Sequence, residues 1–318
     1  MKEYAVIFDT NSYRYLVNEK TEEQQKTSLA EIKTLEQKKN IIPYASVIVG
    51  MEMLANLTES DYGFNFKDCL NGVKTMATHC QEDDGETLRI FPHAALHITK
   101  SYFNFIPTEL EDRVRNLGGV INDLKKDSKS AVKTHRERNT FDDIKQYIDG
   151  EEATFSSQIT ILIEGVRQEI INKHPKIAKK QLRAKLLDYI ENGVFEPLMA
   201  FAVILAVSSK YQIQLPESEV INRAFSLNIE FPLSVGFFRW VAYKIVNDDI
   251  DMSSKTSREK RWNWVWDYHV SFALNESTLS GREIIIVTSD KDMTEMVGDF
   301  GYSNKVFTLT EYIEFLKE

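Results

Sequence analysis

Acidic residues follow short apolar runs near both ends of this chain. Asp9 comes directly after Tyr4–Phe8, and Asp290 comes two hydroxyl residues after Ile284–Val287. Each run predicts a short buried strand. Ligands bind at the carboxyl ends of parallel strands in an open α/β sheet, so we expect the two carboxylates to converge on one site. A cluster of carboxylates is the ligand set that a hard divalent cation such as Mg²⁺ requires.

Two further acids lie in predicted helices. Glu52 lies in the segment Ser46–Leu57, beside an apolar stripe at helical spacing, so its carboxylate can border the sheet without entering the core. Asp267 ends a segment in which tryptophans alternate and therefore cannot share one helix face. We expect one or two of them in the core and an exposed one to stack on a base. The three are Trp262, Trp264 and Trp266.

Taken in this order, the acidic motifs resemble those of the PIN domain, a family of metal-dependent nucleases that mostly cut RNA. The resemblance covers residues 1–57 and 255–318. It extends to a last strand at Val306–Leu309 followed by an amphipathic closing helix. The matching motifs are Asp9-Thr10-Asn11, the helix from Ser46 to Glu52, Asn263 with Asp267, and Thr288-Ser289-Asp290.

The resemblance implies a Rossmann-like, three-layer α/β fold with a central parallel sheet, and a site that uses Mg²⁺ or Mn²⁺. In the family pattern, the catalytic metal ligands are Asp9, Glu52, Asp267 and Asp290. Polar neighbours are expected to orient these carboxylates, namely Thr10, Asn11, Asn263, Thr288 and Ser289. Because no residue suggests a dedicated nucleophile, we expect a water activated by the metal to attack the phosphodiester.

The region between the second and third motifs departs from a compact member of this family. Residues 58–254 predict a mostly α-helical insertion, closed by the polar segment Asn247–Ser254. The predicted organisation is one discontinuous nuclease domain, residues 1–57 and 255–318, interrupted by this insertion. Helices within it are predicted from Thr108, over Glu151–Lys173, Pro175–Ile190, Phe195–Lys210, Pro216–Ser226 and Phe231–Val246.

Composition is that of an ordinary globular protein, with 42% hydrophobic and 27% charged residues. Two cysteines cannot build a disulfide framework, which favours a reducing cytoplasm. The apolar start is broken by Asp9 and does not predict a signal peptide. The run Leu198–Val207 is shorter than the roughly 20 residues of a membrane span, so we expect a buried core helix and no membrane partner.

The net charge of −9 argues mildly against non-specific nucleic-acid binding, so a local basic track is needed if RNA is the substrate. Four basic residues before Asp267 are the first candidates for RNA contacts: Lys255, Arg258, Lys260 and Arg261. A second candidate track holds Lys125, Lys126, Lys129, Lys133, His135, Arg136 and Arg138. A third holds Lys173, Lys176, Lys179, Lys180, Arg183 and Lys185. Runs of this kind are also typical of solvated helix faces.

Several alternatives stay open at this stage. Asp9 and Asp290 are also good helix N-cap residues, and Asp292 could replace Asp290 as a ligand. His93 and His97 have the spacing of two metal ligands on a helix but lack the Glu of a zinc protease motif.

Three functional interpretations follow. The leading one is a PIN-like, metal-dependent endoribonuclease acting as a toxin, a defence enzyme or an RNA-processing enzyme. The second is a catalytically silent scaffold that binds RNA or a partner through the insertion. The third is a haloacid-dehalogenase-type phosphatase, disfavoured because Asn11 stands where its second Asp is required. A regulatory or inhibitory protein and a homo-oligomer are further expectations.

Overall fold

Strand β1 (Tyr4–Phe8) is the central strand of a parallel sheet in the computed structural model, which describes residues 2–58, 64–91, 93–193, 195–252, 254, 256, 263–274, 279 and 281–318. Within this described part, the sheet has five strands in the order β3-β2-β1-β4-β5. Ala5 to Phe8 are buried, as expected for a strand covered on both faces. The other strands are β2 (Ile41–Ser46), β3 (Ile90–Phe91), β4 (Glu283–Val287) and β5 (Val306–Phe307).

The strand order confirms the predicted α/β class and places a topological switch point between β1 and β4. The chain moves outward to β2 and β3 on one side and returns to β4 and β5 on the other. Parallel pairing sets Phe8 opposite Val287. The residues that follow these two strands therefore emerge side by side, at the position where open α/β sheets bind ligands.

Helices make up most of the remaining described chain. The predicted long helix from Glu151 begins earlier, at Thr140, and the helix predicted from Pro175 begins at Lys179. The helices are α1 (Thr10–Val17), α2 (Glu22–Lys38), α3 (Val47–Ala55), α4 (Phe64–His79), α5 (Ala94–Phe103), α6 (Thr108–Lys126), α7 (Ser128–Glu137), α8 (Thr140–Lys173), α9 (Lys179–Glu191), α10 (Phe195–Lys210), α11 (Glu217–Glu230), α12 (Pro232–Asn247), α13 (Asn263–Ser271), α14 (Lys291–Asp299) and α15 (Leu309–Lys317).

The chain forms two compact units whose bounds differ from the predicted domains. The first unit comprises Met1–Asp149 and Ser277–Glu318, and the second comprises Gly150–Glu276. The segment 58–149, predicted as insertion, belongs with the sheet because α4 and α6 pack on α3 and β3 pairs with the end of β2. The unit inserted between the two parts of the sheet-bearing unit is therefore shorter than predicted.

The second unit has an aromatic core. The ring of Tyr268 lies 4.3 Å from that of Phe238, between ring centroids, and the indole nitrogen of Trp266 donates a 2.9 Å hydrogen bond to Glu152. Trp264 and Trp266 are both buried, so neither is an exposed stacking platform for a base. Helix α10 is only partly the core helix that its apolar run predicts, because Leu205 is 43% exposed.

Among the helices that the structure describes, none is both long and apolar enough to cross a membrane alone. In the described chain, α9 and α10 reach the length and apolar composition of a membrane span only when the two are counted as one span, and they are bent by 72° relative to each other.

A buried network of polar side chains in the first unit packs against Phe8 of β1. The carboxylate of Glu36 on α2 accepts a 2.7 Å hydrogen bond from the Tyr312 hydroxyl on α15 and pairs at 2.9 Å with His79 Nε2 on α4. On the far side of the imidazole, His79 Nδ1 lies 3.1 Å from the hydroxyl of Tyr13 on α1. That hydroxyl is 3.3 Å from the sulfur of Cys80, a buried thiol outside any disulfide. The network thus joins four helices.

Ionisation of this network favours the charged pair. Burial is the largest influence on His79 and by itself lowers the pKa. The neighbouring Glu36 carboxylate and hydrogen bonds to Glu36 and Cys80 together outweigh burial and raise the pKa of His79 to about 10. Burial also raises the pKa of the Tyr13 hydroxyl well above its ordinary value. We infer that His79 is protonated in the folded protein and pairs with Glu36.

This network predicts an alkaline loss of stability. Because the pKa of folded His79 lies above the ordinary 6.5, its stabilising contribution is fully present below that pH and is lost as pH rises through about 10. Urea denaturation should show the free energy of unfolding falling in this window, by at most about 1.4 kcal/mol per pH unit. The control is Glu36→Gln combined with His79→Gln, which removes both charges and should flatten the curve. Equal slopes in both proteins would contradict the ion pair.

Candidate functional site

Asp9 lies at the end of β1 and is held from two directions. Its Oδ1 accepts a 2.6 Å hydrogen bond from the backbone N–H of Ser12, so Asp9 is the N-cap of α1. Its Oδ2 accepts a 2.6 Å hydrogen bond from the hydroxyl of Thr288, which follows β4. The Ser12 hydroxyl also donates to the carbonyl of Val287, at 2.9 Å. Asp9 is therefore fixed by its own helix and by the neighbouring strand.

Thr288 connects the ends of β1 and β4. It is buried, with 2% of its surface exposed, and its backbone N–H donates to the carbonyl of Phe307 on β5. Its hydroxyl oxygen accepts a 3.0 Å hydrogen bond from the backbone N–H of Asp290 while donating to Asp9. Asp290 in turn caps α14 by accepting from the N–H of Met293 at 2.9 Å. One hydroxyl thus links both predicted strand-end acids.

Glu52 reaches this region from α3. The hydroxyl of Thr10, the residue after Asp9, donates a hydrogen bond to Glu52 Oε2. Helix α3 follows β2 directly, and its apolar residues are buried, which fixes the face on which Glu52 lies. The structure therefore connects Asp9, Thr10, Glu52, Thr288 and Asp290 through side-chain and backbone hydrogen bonds, and the convergence of the carboxylates on one ion stays a prediction.

The environment of Asp9 perturbs its ionisation. Burial raises the pKa of the Asp9 carboxyl above its ordinary value. Hydrogen bonds from Ser12, Thr288 and Ser289 act in the opposite direction, because they stabilise the carboxylate, but they do not overcome burial. A nearby cation would favour the ionised form.

The remaining predicted site residues fall into three sets: two beside this group, one in the second unit, and six whose side chains lie outside the described residues. Asn11 and Ser289 are half-buried beside Thr10 and Thr288. Asp267 lies on α13 in the second unit. The side chain of Asn263 lies outside the described residues, as do the predicted RNA contacts Lys255, Arg258, Lys260 and Arg261, and Trp262. For these residues the assigned roles stay predictions.

The donor types at the site fit Mg²⁺ or Mn²⁺, because carboxylate and hydroxyl oxygens are hard ligands. Across the residues that the structure describes, no group of three or more His, Cys, Asp or Glu side chains is arranged to hold a metal ion. Mg²⁺ usually keeps several waters and binds proteins through one or two carboxylates, completed by substrate phosphates. Asp9 and Asp290 meet that smaller requirement in ligand type and number.

The alternative roles weighed for single residues have different outcomes. The N-cap role is confirmed for both Asp9 and Asp290. A cap uses one carboxylate oxygen and leaves lone pairs for a cation. His93 is itself the N-cap of α5, because its Nδ1 accepts from the N–H of Ala95, while His97 lies 3.3 Å from the Ser101 hydroxyl. Each of the two histidines thus has a hydrogen-bond contact within or at the start of α5.

Two features escaped the sequence analysis. Ser12 was not singled out, because Asp9 binds its backbone N–H, which any residue other than proline would supply. Glu36 lies in α2, whose many charged residues are typical of a solvent-facing helix, yet Glu36 is 1% exposed. The sequence signal for its burial was its helical spacing from Leu29 and Ile32, which places Glu36 on the same buried helix face.

Comparisons with known proteins add no relative to this picture. No protein-family model, no curated protein and no solved structure matches the chain.

The bridging hydroxyl generates a prediction. Replacing Thr288 by Val keeps the shape but removes the donor to Asp9 and the acceptor for the Asp290 N–H. We expect a further rise in the pKa of Asp9, followed by carboxyl ¹³C NMR, and a loss of about 1–3 kcal/mol in the free energy of unfolding. Thr34→Val is the control, since the exposed Thr34 hydroxyl bonds only within its own helix, to Ala30. An unchanged pKa in Thr288→Val would contradict the bridge.

Proposed function

We propose that the protein is a divalent-metal-dependent ribonuclease that hydrolyses RNA phosphodiester bonds. Its proposed metal ligands are Asp9, Glu52 and Asp290, all in the first unit. The observation that supports this most strongly is the pairing of strand ends at the switch point of the sheet, where the Thr288 hydroxyl holds Asp9 and the backbone of Asp290 together. The resemblance of the four motifs to PIN nucleases supplies the substrate class.

Electrostatics favours a cation at such a site. Carboxylates repel a phosphodiester, so acids alone would keep the substrate away. A divalent cation bound by them polarises the scissile phosphate and supplies an activated water. Burial disfavours an isolated carboxylate, and for this reason it raises the pKa of Asp9. A bound cation would supply the counter-charge that the carboxylate needs.

The neighbouring polar groups have positioning roles in this proposal. The Ser12 N–H and the Thr288 hydroxyl occupy one lone pair of each Asp9 oxygen, which orients the remaining lone pairs. Thr10 does the same for Glu52. The Asp290 backbone is fixed by Thr288, and its Oδ1 by the first turn of α14. These contacts restrict the motion of each of the three acidic side chains separately.

The test is cleavage of a pool of structured and single-stranded RNA in the presence of Mn²⁺. Asp9→Asn and Asp290→Asn keep an N-capping side chain but remove a carboxylate, so they should fold while losing activity. We expect each to cut more slowly by over about 100-fold, since loss of groups that only orient metal ligands already costs 10–100-fold. EDTA should abolish cleavage by the wild-type protein.

The matched control is Asp83→Asn, which removes the same charge from an exposed turn of the first unit. It should cleave at the wild-type rate. Cleavage that persists in Asp9→Asn, or absence of cleavage by the wild-type protein with Mn²⁺, would refute the proposal and leave the binding scaffold as the better interpretation.

A further inference from the structure

The two long basic stretches, residues 125–138 and 173–185, make different contacts in the structure. In the first unit, several cations are used for internal contacts. Both Arg136 Nε and Nη2 donate to the carbonyl of Leu57, at 3.2 and 2.9 Å, and buried His135 lies 3.2 Å from Asp123. Lys125 donates to the side chain of Gln81. Three residues of this stretch therefore make contacts within the first unit.

The stretch in the second unit instead lines an open groove. The groove lies where α8 ends and α9 begins and has a volume of about 840 Å³. Three lysines and one histidine line it, and no Asp or Glu is among its lining residues within the described chain. These four are Lys173, His174, Lys176 and Lys185, all exposed. The other lining residues are Pro175, Ile177, Gln181 and Ala184, so every ionisable side chain of the lining is basic, in a chain of net charge −9.

The acids near this groove compete only weakly for its cations. Lys173 pairs with Glu169 at 2.5 Å along the same helix, and Lys179 lies 3.8 Å from Asp249. Both pairs are solvent-exposed, and exposed ion pairs contribute only about 0–1 kcal/mol, so a phosphate can replace the carboxylate at small cost. Within the described chain, Lys176 and Lys185 form no ion pair with a carboxylate.

The first turn of α9 adds to the positive potential beside the groove. Its N-cap residue is Ala178, which offers no side chain to the free backbone N–H groups. A helix N-terminus carries a partial positive charge that favours anions. This contribution reinforces the lysines that line the groove.

We propose that this groove binds the phosphate backbone of RNA, as a substrate-holding surface of the second unit. The inference rests on the proposed ribonuclease function and names where part of its substrate is held. Lysine contacts to phosphate position a nucleic acid without reading its sequence. The groove exceeds the size of a single phosphate and is open, which fits a continuous backbone rather than a small anion.

The test measures binding in EDTA, so that cleavage plays no part. A fluorescein-labelled oligouridylate of about 16 nucleotides is titrated with full-length protein by anisotropy, between about 50 and 200 mM salt. Lys176→Ala combined with Lys185→Ala should weaken binding. It should also reduce the slope of log K against log salt by about 1.4, the value for two phosphate contacts on a single strand.

The matched control is Lys126→Ala combined with Lys129→Ala, which removes two exposed lysines of the other basic stretch. It should leave the slope near that of the wild-type protein. Circular dichroism melts check that both variants fold. Equal losses in the two double variants, or no RNA binding by the wild-type protein, would overturn the proposal.

A membrane surface is the other ligand to test. If the groove variant Lys176→Ala with Lys185→Ala loses binding to vesicles rich in phosphatidylserine while its RNA binding stays intact, the groove binds a membrane surface and the inference is overturned.

Two further results separate this inference from the proposed function. If Mn²⁺-dependent cleavage is found while the groove variant binds RNA normally, the nuclease stands and the groove proposal falls. If the groove variant loses RNA binding while the wild-type protein cuts nothing, the groove stands and the nuclease falls.

Discussion

The parallel pairing of β1 with β4 is the constraint on which the candidate site depends. It sets Phe8 opposite Val287, residues from opposite ends of the chain, and so brings Asp9 beside Thr288. The carbonyl of Val287 accepts from both the Asp9 N–H and the Ser12 hydroxyl. A slip of one residue would turn each side chain of the strand to the opposite face and separate these groups. In the observed register, Val287 and Thr288 form the hydrogen bonds that hold Asp9 and Ser12.

The same strand is held from behind by a buried charge pair. The ring of Phe8 contacts the rings of His79 and Tyr312, at centroid distances of 4.9 and 5.4 Å, and both of these side chains bind Glu36. Removing ions from water is costly, so such a pair contributes specificity of arrangement more readily than net stability. Here it fixes α15, near the end of the chain, against helices from the first 80 residues. Strand β1 is therefore fixed both by its pairing with β4 and by the contacts of Phe8 with the polar network.

The sequence predicted the local elements better than their assembly. Apolar runs followed by acids identified β1 and β4, because a short buried strand is a local pattern. Strand β3 was missed because two residues carry no periodicity, and its pairing with β2 depends on a distant partner. The unit boundary was misplaced for the same reason, since helices of residues 58–149 pack on the sheet. Glu36 was missed because a buried acid looks like a surface acid until its partners are known.

The proposed ribonuclease requires that the carboxylates at the β1 and β4 ends form a divalent-metal site. The measurement to make is a crystal structure grown with Mn²⁺ and recorded near the manganese absorption edge. We expect an anomalous peak within about 2.0–2.2 Å of carboxylate oxygens from both Asp9 and Asp290. Well-ordered Asp9 and Asp290 side chains with no peak between them, or a peak bound only elsewhere on the protein, would contradict it.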